Sequence, residues 1–584
     1  MASFTEGTME EVVAFLGPRF NSILPILQES KVSTTDLLAA DRHALVEWGV
    51  SEEDATNFLA ALCGTTVTPA LEAQLNEFGQ MHTLNWLARG FLSYQQAALL
   101  VKQLSELDLQ RVSDAYASTK KKVREGDQEA TSHSDIIEPP DSSSCDSLED
   151  MSSSDRLHFE TLGSEEIASG KAAVVILGGG QGTRLGFDGP KGMYDIGLPS
   201  GKSLFQLYAE RIVRLQQLVS ASIGGGKKIN IPLYIMTSPL NNEITQGFFK
   251  QYGYFGLDSK HVHFFQQGTL PALTDDDAPD GGGKIIMQTG YTIAEAPDGN
   301  GGIYNAMEIA GVLSALEEAM VRSVHVFSVD NAICKVADPL FLGYCLSRRA
   351  DVGNKVVWKR SPEEKVGVVA RRGGRTAIVE YSELSEDLAQ STAGDTGKLV
   401  FGAGNICNHY FTVPFLRKVV TAYRDEPTIM PYHVARKKIQ CADPKSNGSM
   451  PPSNRPNGIK LEAFIFDSFP LAVNSAILEV KREEEFSPVK NAPGQGSTDS
   501  PDTARCIIMS LHRRWAEENG AKFTIGNSGD ADGSGSSPDF ALFEISPLVS
   551  YAGEGLGGLT SGAVYSPLSD SPVHITQAPR PIDK

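Results

Sequence analysis

The residues with the greatest capacity for chemistry are gathered in one stretch. After the apolar run 174–177 the chain reads GGGQGTRLGFDGPKGMYDIGLPSGKSLFQL over residues 178–207. Gly178, Gly179, Gly180, Gly182 and Gly186 let backbone N–H groups approach an anion with no Cβ in the way. Arg184 and Lys191 add the formal positive charge that amides lack, and a helix start after such a loop adds a favourable dipole. This is a loop built to wrap phosphates. Two better-known phosphate motifs fail on spacing. A dinucleotide fingerprint, GxGxxG, starting at Gly180 and Gly182 needs its last glycine one place before Gly186. A P-loop, GxxxxGK[ST], is one residue longer than the run that starts at Gly197 and ends in Gly201, Lys202 and Ser203, and it follows a strand directly.

Other polar residues stand at the ends of apolar runs. Gln266 and Gln267 close the run HVHFFQQG, and a carboxamide, with donor and acceptor side by side, can read a nucleobase edge. In PDGNGG, Gly299 and Asn300 combine close backbone approach with an amide in a turn. Asp330 follows SVHVFSV, at the kind of strand end where α/β sheets bind ligands. One carboxylate there suffices for Mg²⁺, because phosphate oxygens and water complete its shell. The plainer readings are a polar strand end, a hairpin turn and a capping aspartate. Asp275, Asp276 and Asp277 read as a solvated loop rather than a metal site.

These groups must be positioned by a sheet. Strand-length runs at 171–180, 231–238, 261–268, 323–331 and 354–360 alternate with helical stretches, which predicts an α/β fold: a mainly parallel sheet with helices on both faces. Ahead of it, residues 1–66 carry apolar positions at helical spacing, and residues 67–124 read as a helical hairpin. Residues 125–155 turn to Ser, Asp and Glu, predicting a disordered linker. The catalytic domain is expected over 156–480. A small α+β domain is expected over 481–584, with one helix near 503–519 and a Gly/Ser/Asp-rich insert at 526–537.

At 584 residues and 41% hydrophobic the chain can bury a large core, and its net charge of -20 argues against nucleic acid and acidic membrane surfaces as partners. Any bound phosphate must be held locally. The seven cysteines stand singly with no CxxC pair, against a disulfide framework or zinc knuckle. The acidic start MASFTEGTMEEVV has no basic segment followed by an apolar one, and no run reaches membrane-spanning length. The expectation is a soluble cytoplasmic protein.

GGQGTRLG at 179–186 followed by PKGMYDIGLPS at 190–200 resembles the eukaryotic UDP-N-acetylhexosamine pyrophosphorylase family. UDP-glucose pyrophosphorylases share a similar loop and Pro-Lys pair, but not the Gln-Gly-Thr-Arg centre. The similarity runs on through FFQQGTLPAL, APDGNGGIY, VDN, VEYSEL, GAGNICNHYFTVPFL, PNGIKLEAFIFD, EEFSPVKNA and EISPLVSYAGEGL, from about residue 80 to 555. It implies a Rossmann-like, GT-A-like nucleotidyltransferase that joins UTP to N-acetylglucosamine 1-phosphate and releases pyrophosphate, with Mg²⁺ or alternatively Mn²⁺. It implies Arg184 and Lys191 as catalytic residues. Leu177, Gly178, Gly179, Gly180, Gln267, Gly299, Asp330 and Lys460 then fall on UTP, with Asp330 also on the metal. Asn300, Glu380, Tyr381, Asn405, Phe464, Phe466 and Lys490 fall on the sugar phosphate. The alternatives are an N-acetylgalactosamine or broad UDP-sugar pyrophosphorylase, or a non-catalytic nucleotide-sugar sensor. Residues 37–62 resemble part of a sterile alpha motif domain, which implies self-association through the N-terminal helices.

Overall fold

The computed structural model describes residues 8–126, 136–223, 225–278, 281–394, 396–426, 429–523, 543–565 and 573–576. The chain forms two compact units, and each is built from separated segments.

One unit, Ala130–Gly268 with Asn300–Asp425 and Ile465–Lys584, holds the central sheet. Its eleven strands among the described residues are β1 Ile137–Glu138, β2 Cys145–Ser147, β3 Ala172–Leu177, β4 Leu233–Thr237, β5 Val262–Gln266, β6 Ser323–Ser328, β7 Val352–Trp358, β8 Val368–Arg372, β9 Arg375–Val379, β10 Ala403–Thr412 and β11 Ser475–Glu479. Spatial order is β2-β11-β7-β10-β6-β3-β4-β5, with β8 joined to β10, β9 and β1. Parallel pairing holds throughout this path except at β10, which runs antiparallel to both β6 and β7. The mainly parallel α/β sheet expected from the run spacing is therefore present. Every residue of β3 is buried, as two-sided coverage of a parallel strand requires. Val174 and Ile176 meet Phe205 and Tyr208 of the helix Leu204–Ser222, while Ala173 and Val175 are equally buried on the other face.

Part of the expected linker is folded. Residues 127–135 lie outside the described residues, but β1 pairs with β8, β2 runs parallel to β11, and a helix starts at Ser153. Edge-strand hydrogen bonds and the ion pairs of Asp146 with Arg348 and of Glu138 with Arg371 replace the apolar burial that this segment lacks. The insert 526–537 lies outside the described residues.

The other unit joins Met1–Glu129 to Thr269–Gly299 and Glu426–Phe464. The expected single catalytic domain over 156–480 is therefore interrupted twice. Short antiparallel pairs, such as His433–Lys437 with Gly458–Glu462, add apolar side chains to the core under residues 63–115. Residues 9–62 form a second core, yet the division near residue 66 is not clean. Helix Glu52–Gly64 passes Cys63 into the neighbouring core, where its thiol donates to the Leu92 carbonyl at 3.2 Å. No described helix is long and apolar enough to cross a membrane.

Candidate active site

The phosphate loop begins where β3 ends. Gly178 N–H still donates to Met236 O at 2.8 Å, and the Asn241 amide donates to Gly178 O at 3.2 Å. The chain then turns out of the sheet and closes on itself. Gly182 N–H donates to Gly189 O at 2.8 Å and Lys191 N–H to Gly180 O at 3.1 Å, so Lys191 returns beside the loop's start. Gly186 makes the turn at φ +72°. A Cβ on Gly180 would meet nothing within 4 Å, leaving that edge open, whereas one on Gly192 would lie 2.2 Å from the Phe205 ring. The loop is thus tight underneath and free above.

Lys191 is half-buried and has no hydrogen-bond acceptor or carboxylate partner among the described residues. Burial lowers its pKa from the ordinary 10.5; Asp330 opposes the shift, while Lys490 and Arg184 add to it. Those four groups therefore share one electrostatic neighbourhood, although Asp330 and Lys490 are far from the loop in sequence. Bonds from the Tyr208 and Asn331 side chains and one main-chain bond explain how Asp330 and Lys490 come together. The Tyr208 hydroxyl donates to Val329 O at 2.9 Å and Asn331 O at 3.0 Å. The Asn331 amide donates to Glu485 O at 2.7 Å and accepts from Ser487 N–H at 2.9 Å. Val489 N–H donates to Asp330 O at 2.9 Å, which sets Lys490 alongside. Beneath them Lys355, 0% exposed, is bonded to Asp338 and Glu485.

Gln267 and Gln266 are separated by alternation. Gln266 is exposed, whereas Gln267 is buried and its N–H donates to Thr237 O at 2.8 Å. A Cβ on Gly179 would lie 2.6 Å from Gln267 Nε2, so this amide rests on the phosphate loop. Leu177 ends β3 opposite Ser328, at the strand ends that Asp330 follows.

Of the residues expected on the sugar, Asn300, Glu380 and Asn405 form one group through Gly367 and Cys407. Asn405 N–H donates to Gly367 O at 2.8 Å, and a Cβ on Gly367 would lie 2.7 Å from Glu380 Oε1. Cys407, held at φ +51°, donates its N–H to Asn405 Oδ1 at 3.0 Å. Asn300 Oδ1 accepts from Ile465 N–H at 3.0 Å, and its amide nitrogen lies 4.0 Å from Cys407 Sγ. Tyr381 is exposed. Phe466 is 8% exposed and meets Phe469 edge-on, so most of its ring serves the core.

Three expected residues belong to the other unit. Gly299 has φ +92°, and a Cβ there would lie 2.2 Å from Ala463 O, so only glycine fits. Lys460 is half-buried on the strand Gly458–Glu462, and Phe464 stacks on His433 with centroids 4.2 Å apart. The sequence reading missed Asp298, which is buried and paired with Arg111 at 3.4 Å. Burial raises its pKa, and Arg111 opposes that. An acid before the turn glycines was the available signal.

The family model described as UTP–glucose-1-phosphate uridylyltransferase matches residues 114–528. UDP-N-acetylglucosamine diphosphorylase 2 of Arabidopsis thaliana is 40% identical over 507 residues, covering 85% of this chain and 92% of the relative. The chain belongs to the UDP-N-acetylhexosamine pyrophosphorylase family. UDP-N-acetylhexosamine pyrophosphorylase-like protein 1 of Homo sapiens, from the same family, is 46% identical over 71% of this chain and 80% of its own. The crystal structure of the uridine diphosphate N-acetylglucosamine pyrophosphorylase of Trypanosoma brucei superposes with a TM-score of 0.69 at 31% identity, over 85% of this chain and 97% of that one. Membership fits the glycine loop with its Gln-Gly-Thr-Arg centre, which the fold presents at the strand ends.

Proposed function

We infer that the chain is a uridylyltransferase that forms UDP-N-acetylglucosamine and pyrophosphate from UTP and N-acetylglucosamine 1-phosphate. The observation that carries this is the shared neighbourhood of Arg184, Lys191, Lys490 and Asp330 at one edge of the glycine loop, with the Gln267 amide against Gly179. A sugar phosphate oxygen attacks the α-phosphorus of UTP, a new P–O bond forms, and the bond to the bridging oxygen breaks as pyrophosphate leaves. A phosphate dianion is already nucleophilic, so no covalent enzyme intermediate is needed. The protein's part is to align the two phosphates and to neutralise charge as it spreads. Lys191 is assigned to the α-phosphate, Arg184 to the departing pyrophosphate and Lys490 to the sugar phosphate. Gln267 is assigned to the uracil edge, and Glu380 and Asn405 to the sugar.

Asp330 fits a magnesium site. It is half-buried and has no ion-pair partner among the described residues, where no group of three or more potential metal ligands exists either. A single carboxylate suits an ion that takes its other oxygens from substrate and water. When bound, Mg²⁺, or Mn²⁺ in its place, supplies charge neutralisation on the triphosphate. We also place the enzyme in the cytosol, a reading supported by seven cysteines that all remain free thiols.

The test is pyrophosphate release with UTP and a panel of sugar 1-phosphates. N-acetylglucosamine 1-phosphate should give the highest kcat/KM, with N-acetylgalactosamine 1-phosphate next. A preference for glucose 1-phosphate, or no release with any of them, would overturn the proposal.

A further inference from the structure

A polar cavity of about 800 Å³ opens in the sheet-bearing unit away from the glycine loop. Its place follows from strand direction. Ser475, in its wall, is the first residue of β11 and pairs with Val352, the first of β7, whereas Asp330 follows the end of β6. The cavity therefore lies at the opposite ends of the parallel strands from the phosphate loop.

Four cationic side chains reach it, Arg348, Arg371, Arg375 and Lys418, against a single acidic wall residue, Asp141. In a chain of net charge -20 that is a local reversal of sign. Two of the four are already engaged. Arg348 pairs with Asp146, and Arg371 with Glu138 at 3.1 Å and Asp141 at 4.0 Å. Even so, Arg371 Nε is buried with no hydrogen-bond acceptor. The other two have no carboxylate partner among the described residues. Arg375 donates to Pro470 O at 3.0 Å and Lys418 to Leu471 O at 2.7 Å. Main-chain carbonyls aim these cations without neutralising them. Hydroxyls of Ser143, Ser144 and Thr376 and the amide of Asn474 complete a wall suited to sugar hydroxyls.

We propose that this cavity is a second ligand site, which binds a phosphate-bearing, hydroxyl-rich small metabolite of the sugar-phosphate class. Arg375 and Lys418 hold the phosphate, because two unneutralised cations match its dianion and a guanidinium can grip two of its oxygens. The site is separate from the catalytic one and needs none of its residues.

Glucose 6-phosphate is the probe, titrated by calorimetry into the Lys191→Ala variant, which lacks one cation of the catalytic loop, so that the cavity substitutions below separate the two sites. One site with submillimolar affinity is expected. Adding Arg375→Ala and Lys418→Ala should weaken it by at least about tenfold, since charge-assisted bonds to phosphate are lost. Circular dichroism should be unchanged, as both side chains are exposed. In the background with Lys191 intact, the same pair of substitutions should leave pyrophosphate release unaltered. No binding in Lys191→Ala up to about 10 mM, or equal affinity with and without the cavity substitutions, would overturn the proposal.

Discussion

Replacing Gly179 by alanine should impair nucleobase selection without touching a charged group. The new Cβ would stand 2.6 Å from Gln267 Nε2 and 2.9 Å from its Cδ, where carbon contacts normally begin near about 3.5 Å. The amide must therefore withdraw by about 1 Å, enough to stretch a hydrogen bond from about 2.9 Å past its useful range. Gln267 is only 7% exposed, so it has little free space to re-form the same geometry. If its amide makes two neutral bonds to uracil, at about 0.5–1.5 kcal/mol each, the loss is about 1–3 kcal/mol, or roughly 5- to 150-fold in UTP-over-CTP preference. The assay is kcat/KM for both nucleotides in Gly179→Ala, Gln267→Ala and the double variant. Both single changes should erode the preference, and the double should lose little more than Gln267→Ala alone, because contacting residues do not act additively. Retention of the ratio within about twofold in Gly179→Ala, or losses that simply add, would refute the contact as the source of selection.

Lys191→Ala should cut kcat by several orders of magnitude with UTP affinity within about tenfold, measured by single-turnover kinetics and calorimetry. Because burial lowers the Lys191 pKa from 10.5, activity should fall as pH rises through a value below 10.5, and Lys191→Arg should move that limb upward. Activity should vanish with EDTA and return with Mg²⁺, and Asp330→Asn should require more metal for half-maximal rate; an unchanged requirement would remove Asp330 from the metal. Lys355→Met should destabilise the fold by about 3 kcal/mol in urea titrations, since two buried carboxylates lose their hydrogen-bonded ammonium and Glu485 keeps only Lys335, at 3.4 Å; an unchanged midpoint would contradict the pairing. Deleting residues 1–66 should keep turnover within about threefold while lowering thermal stability, and light scattering should show whether self-association goes with it; loss of turnover in a folded protein would tie the module to catalysis.

What the sequence revealed depended on how local each feature is. The glycine loop was legible because its hydrogen bonds close between residues 180 and 191. Five of the eleven described sheet strands, β3, β4, β5, β6 and β7, were legible from their own apolar runs. The choice between Gln266 and Gln267 came from the resemblance and not from the residues themselves, because alternation has two phases and the phase is set by the Gln267 N–H bond to Thr237. The meeting of Asp330 with Lys490 was not legible, for it rests on the Asn331 amide reaching a segment over 150 residues away. Lys355 carries a signal of its own: beside Asn354 in a strand otherwise of Val, Gly and Trp, a buried lysine needs buried acids, and Asp338 and Glu485 supply them. The linker misled for the opposite reason. Composition records side-chain burial, but β1 and β2 are held by ladder bonds and ion pairs that composition does not show.

The pairing of cations also separates scaffold from function. Lys355, fully buried, sits between two carboxylates, and Lys202 lies beside Glu210. An unpaired ammonium at such depth would be lost to deprotonation or unfolding, so these charges stabilise the frame only as pairs. Lys191 breaks that pattern. It is half-buried, its pKa is already lowered, and its backbone is fixed by Gly180 while its side chain has no acceptor among the described residues. Neutralising it internally would favour the empty fold but leave little field for a phosphate, whereas leaving it unpaired costs stability until an anion arrives. The frame that carries this cost is the same buried cluster, since Glu485 joins Lys355 through its carboxylate and Asn331 through its carbonyl. Pairing below and want of a partner above are thus two halves of one arrangement.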